Sequence, residues 1–166
     1  MTTTGLTRPL FAALALVAVI GLGVGQARAD MRLPALDHGP WKEECGSSCH
    51  VAYPPQLLSA ASWRAVMAGL EDHFGVDASL ESAVGEDILR FLEKHASRRE
   101  TSAGGKPLLR ITETRWFRSE HSEEVPASVW KLPEVKSPAN CEACHTGAKE
   151  GDYSERTLRV PRGAHK

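Results

Sequence analysis

The chain has 166 residues, with 20 Lys and Arg against 21 Asp and Glu and a formal net charge of −1. That balance argues against nucleic acid as a partner, since no surplus of positive charge is available to neutralise phosphates. All four cysteines fall in two short clusters, each ending in Cys-His, so none is left over for a structural disulfide.

At the N-terminus Arg8 and Pro9 precede an apolar run from Leu10 to Val24, and Ala27-Arg28-Ala29 follows. The run is short for a membrane span of roughly 20 residues. With the A-x-A pattern it predicts an export signal over residues 1–29, cleaved after Ala29. The rival is a retained membrane anchor. Met31 to Glu44, with Pro34, Gly39 and Pro40, reads as an irregular leader. The first cysteine cluster comes next, and Val51-Ala52-Tyr53-Pro54-Pro55 is extended because each proline biases its predecessor away from helix. Leu57 and Leu58 should turn inward.

Ser62 predicts the N-cap of a helix from Trp63 to about Phe74. Trp63, Val66, Met67 and Leu70 recur at helical spacing, and Gly75 is a stop signal. A second helix is predicted from about Leu80 to His95, capped by Asp77 or Ser79. Its apolar face is Leu80, Val84, Ile88, Phe91 and Leu92. Ala96 to Pro107 is polar, and residues 98–107 read as a surface linker between an N-terminal domain (30–97) and a C-terminal one (108–166), each with one cysteine cluster. Leu108 to Phe117 suits a short strand or extended segment. Pro126, Pro133 and Pro138 make the stretch to Asn140 loop-rich. Asn140 should cap a helix carrying Cys141 to His145. The tail from Gly147 is polar and should wrap the surface. The fold class is therefore mainly α with long irregular loops: helical in its N-terminal half, loop-rich in its C-terminal half.

Cys141-Glu142-Ala143-Cys144-His145 is C-x-x-C-H, the pattern of covalent c-type haem attachment. Two thiols on one helical turn reach the two vinyl groups of one porphyrin, and the adjoining His145 supplies the proximal imidazole. Cys45-Gly46-Ser47-Ser48-Cys49-His50 has one residue more, C-x-x-x-C-H. It keeps the Cys-His pair, and Gly46 gives the backbone room to bulge, so it reads as a second haem site with a stretched loop. Zinc is the competing reading for such clusters. Two haems would supply much of the apolar surface that so few aromatics do not, so poor folding without them is expected.

At this point the chain resembles the small periplasmic dihaem cytochromes c. The likeness runs from about Trp41 to Pro161. It rests on Glu44-Cys45, Cys49 to Pro55, Ser62-Trp63, Asp72 to Gly75, Arg110 to Thr114, Trp116-Phe117, Glu120-His121 and Cys141 to His145. The departure is the extra residue between Cys45 and Cys49, where the family has C-x-x-C-H. The resemblance implies a class-I-like helical N-terminal half and two low-spin haems with two histidine ligands each. It further implies electron exchange with a membrane b-type cytochrome and a small monohaem cytochrome, in the periplasm.

His50 and His145 are the proximal candidates. His73 lies beside Leu70 and Phe74, and His121 shortly after Trp116 and Phe117; both match the family's motif and are the distal candidates. The alternative for each is a buried histidine satisfied by hydrogen bonds. Sequence proximity alone pairs His73 with His50 and His121 with His145; nothing in the spacing forbids the crossed arrangement. His95 reads as structural at a helix C-terminus, His165 as solvated, and His38 as a reserve ligand near the first motif. Met67 reads as a core residue. Arg110, Arg115 and Arg118 could pair with haem propionates. Tyr53, Trp63, Phe74, Trp116 and Phe117 could pack on porphyrin.

With both axial positions filled, neither iron easily takes a substrate, and the expected role is an electron carrier rather than an enzyme. A monomer and weak, transient complexes with small interfaces are expected. The rivals are a dihaem peroxidase or reductase with one open iron, a monohaem cytochrome in which Cys45 and Cys49 form a redox pair or disulfide, and a haem-based gas sensor.

Overall fold

The computed structural model describes residues 1, 33–46, 49–122 and 124–161. The export signal, Met31, His165 and Ser47-Ser48 of the stretched motif lie outside them. Among the described residues, no helix is long and apolar enough to cross a membrane.

The segment read as an irregular leader instead contains a helix, α1, Gly39–Gly46. His38 caps it, with the Trp41 N–H donating to His38 Nδ1 at 3.2 Å. Gly39 and Pro40 do not break α1 because they occupy its first turn, where a missing N–H costs no helical bond. The extended stretch at Pro54 leads into a 3₁₀ turn over Pro55–Leu57, and Leu57 and Leu58 are buried as expected.

α2 spans Ala60–Met67. Its cap is Ser59, whose hydroxyl accepts from the Ser62 N–H, so the helix begins earlier than Ser62 predicts. Ser62 is fully buried and turns its hydroxyl to the Thr101 carbonyl at 2.9 Å. α2 also ends earlier than predicted. The Gly69 N–H bonds Val66 O, a tightened last turn, and a separate 3₁₀ turn occupies Leu70–Asp72.

α3 spans Ser82–His95. The Glu81 carboxylate accepts from the N–H groups of Ala83 and Val84, and Asp77 makes only a local turn to the Ser79 N–H. Ile88 and Leu92 are 0% and 1% exposed, and with Trp41, Leu58 and Trp63 they form the core where α1 and α2 meet α3. Each such side chain contributes about 1.5–3 kcal/mol by leaving water. The Trp63 indole N–H reaches the Pro55 carbonyl at 2.8 Å, so its burial leaves no orphan donor.

The stretch read as linker holds a two-stranded antiparallel hairpin, β1 (Ser102–Ala103) and β2 (Lys106–Pro107). Gly104 and Gly105 both take positive φ, which a two-residue hairpin turn of this hand requires.

The expected strand near Leu108 to Phe117 is instead a 3₁₀ turn, Ile111–Glu113, followed by α4, Arg115–His121. Thr114 acts as the cap of α4: its hydroxyl accepts from the Phe117 N–H at 3.1 Å. Beyond α4 the chain runs through 3₁₀ turns at Val129–Lys131, Cys141–Ala143, Ala148–Glu150 and Glu155–Thr157. The tail does not simply wrap the surface. Ala148, Asp152 and Ser154 are buried, and His145 pairs with Leu158 in an isolated bridge.

Candidate functional site

Four of the histidines fall into two pairs. The rings of His50 and His73 have centroids 6.2 Å apart, and so do those of His121 and His145. Two imidazoles sharing one metal through bonds of about 2 Å place their centroids about 6 Å apart. Each pair therefore leaves room for a single ion between its rings.

In each pair one tautomer is set by the backbone. His50 Nδ1 lies 2.7 Å from the Val51 carbonyl, and His121 Nδ1 lies 2.8 Å from the Phe117 carbonyl one helical turn back. A carbonyl only accepts, so Nδ1 carries the hydrogen in both, and Nε2 of the neutral ring keeps its lone pair. Burial, the facing His50 and then the Arg110 charge hold His73 below the usual imidazole range. Burial and the facing His121 do the same to His145, against the opposing pull of Asp152. The neutral form is the one that binds metal.

The first pair is presented by two different devices. His50 follows Cys49 in the loop after α1, and the Tyr53 ring stacks on it at 4.5 Å and 13°. His73 sits not at the end of a long helix but on a tight turn. Its N–H donates to Val76 O, the next residue, Phe74, takes φ 56°, and Gly75 takes φ 93°. A bulky residue in the left-handed region is uncommon and costs strain. Arg110 lies over the Phe74 ring at 3.8 Å, beside His73.

The second pair joins α4 to the C-x-x-C-H turn. His121 ends α4 and stacks on Phe117 at 4.1 Å and 17°. The C-x-x-C-H segment is one 3₁₀ turn, in which the N–H groups of Cys144 and His145 both reach Cys141 O. Asn140 precedes it without side-chain capping and instead donates to Val135 O at 3.1 Å. The turn holds both thiols and the imidazole on one short stretch. His145 Nδ1 is buried with no hydrogen-bond partner, as is the hydroxyl of Tyr153, whose ring lies 5.3 Å from His145. The composition gave no sign of Tyr153 or of Trp130, 6.0 Å from His121.

Burial pushes the Cys45 and Cys141 thiols up to about 11 and raises Cys144 as well. Cys45 packs against the core cluster while Cys49 is exposed. Among the described residues, no three His, Cys, Asp or Glu side chains converge as a zinc site requires. His38 has both nitrogens engaged, Nδ1 by Trp41 and Nε2 by Asp87 at 3.0 Å, which removes it as a reserve ligand. His95 lies against Phe91 at the end of α3, and Trp63 belongs to the core. The donor sets thus suit two groups that each take two axial imidazoles and two thioether links.

Comparison with known proteins places the chain among haem proteins. The family model for dihaem cytochrome c matches residues 41–153. A crystal structure of DHC purified from Rhodobacter sphaeroides is 41% identical, with a TM-score of 0.62, over 72% of this chain and 99% of that one. A dihaem cytochrome c from Shewanella baltica OS155 is 38% identical, with a TM-score of 0.64, over 74% of this chain and 92% of that one. A search of curated proteins finds no match.

Proposed function

The chain belongs to the dihaem cytochrome c family and takes two c-type haems, and we propose that it carries single electrons with each iron held between two histidines. His50 and His73 would ligate one iron, with Cys45 and Cys49 as the attachment residues. His121 and His145 would ligate the other, with Cys141 and Cys144. The observation that carries this reading is the pair of 6.2 Å ring separations.

Bound there, each haem supplies one-electron exchange at iron, and two imidazole ligands favour a low potential. The chain's own part is to close both faces. Val51 and Phe117 carbonyls hold the Nδ1 hydrogens of His50 and His121 and aim the opposite nitrogens inward. Tyr53 and Phe117 stack on those rings and limit their rotation. With both histidines of each pair on its iron, a peroxidase or reductase would lack a place for substrate.

In this reading the protein is exported to the periplasm, acts as a monomer, and exchanges electrons between a membrane b-type cytochrome and a soluble acceptor such as a small monohaem cytochrome. Such contacts are brief and small in area. The test is the intact mass of the mature protein under denaturing conditions. A gain of two haems is expected. A gain of one would restrict covalent attachment to Cys141 and Cys144 and overturn the reading of the stretched motif as an attachment site.

A further inference from the structure

One side chain touches both sites. The Tyr53 ring lies nearly parallel to His50 of the first pair, at 4.5 Å and 13°. Its hydroxyl donates at 2.6 Å to the carbonyl of Ala139, 86 positions along the chain. That same carbonyl accepts the Cys141 N–H at 3.0 Å and lies 3.7 Å from Cys141 Sγ. A single ring and a single hydrogen bond thus link an imidazole of the first site to the attachment turn of the second. The link is short, and the residues it joins are otherwise carried by separate parts of the chain: the loop after α1 and the turn after Pro138.

We propose that Tyr53 is a positioning residue that sets the geometry of one haem site relative to the other. The stack fixes the plane of the His50 imidazole, and the hydroxyl fastens that plane to the turn carrying Cys141. This rests on the reading that each site is a histidine pair around a haem. Thioether formation at Cys141 would consume its S–H and leave Tyr53 and the Cys141 N–H as the donors to the Ala139 oxygen. The bond between the sites therefore survives haem attachment.

The experiment compares the full holoprotein with its Tyr53→Phe variant. Haem content and the low-spin spectrum of the wild type test the underlying reading. Soret circular dichroism, which responds to the mutual orientation of two haems, and the separation of the two midpoint potentials test Tyr53. Tyr53→Phe is expected to keep two low-spin haems, to lose intensity in the Soret couplet and to shift the separation of potentials. A Tyr53→Phe holoprotein with the wild-type couplet and potentials overturns the proposal and leaves the carrier reading intact. A wild type without two low-spin haems overturns the carrier reading instead. Should Tyr53→Phe fail to assemble, the reduced, diamagnetic wild type decides. The bond predicts a slowly exchanging Tyr53 hydroxyl proton in its NMR spectrum, and free exchange overturns the proposal.

Discussion

The two halves of the molecule hold their histidine pairs in different ways. Around His50 and His73 there is an ordinary protein core: α1, α2 and α3 bury Trp41, Leu58, Trp63, Ile88 and Leu92 against one another. Around His121 and His145 there is one seven-residue helix, a series of 3₁₀ turns, and isolated buried residues such as Phe117, Val129, Val135 and Ala148. The core cluster lies in the N-terminal half, whereas the C-terminal half has buried orphans, His145 Nδ1 and the Tyr153 hydroxyl, beside the attachment turn. A haem bound there would supply contacts that side chains supply in the other half.

This difference is sharpest in the response to losing a ligand. His145→Ala should remove one of the two haem spectra and leave residues 108–161 open to limited proteolysis, while the α1–α3 core resists. Uniform digestion of both halves, or none, would contradict the comparison. A core substitution should act in the opposite half. Ile88→Ala removes a fully buried side chain from α3, and a loss of about 2–5 kcal/mol is expected. Denaturant unfolding followed by far-ultraviolet circular dichroism measures it, and an effect below about 1 kcal/mol would show that this half, too, depends on haem rather than on its core. Smaller still is Thr114→Ala, which deletes the cap of α4 and should cost about 1 kcal/mol. Its sign of specificity is that weakened ordering of His121 appears before any change at His50 and His73, as seen by EPR of the two ferric centres. Equal perturbation of both centres would contradict it.

The same contrast explains what could be read in the sequence. α3 was legible because its apolar positions follow a helical period and its burial follows from that period alone. The C-x-x-C-H turn was legible because its chemistry needs those residues in that order. The setting of His73 was not. A continuous helix to Phe74 was expected, whereas the chain breaks at Gly69 and reaches His73 on a turn with Phe74 in the left-handed region. Local periodicity carries no information about a strained turn that is held by Val76 and by the Asp72 carboxylate on the Gly75 N–H. α4 was hidden by β-branched residues just before it, one of which is its cap. Trp130 and Tyr153 are invisible in the sequence because they reach the second pair by packing that no short-range pattern encodes. Gly151, in the left-handed region, was the available sign that the tail turns back toward His145.

Electron carriage without substrate binding requires both irons to be closed on both sides by histidine, one pair in each half. Exposure of the fully reduced protein to carbon monoxide tests this directly. The expected spectrum is unchanged, with neither iron taking the gas. Stoichiometric binding at one iron would show an open axial position, contradict the paired-histidine account of that half, and favour a small haem enzyme instead.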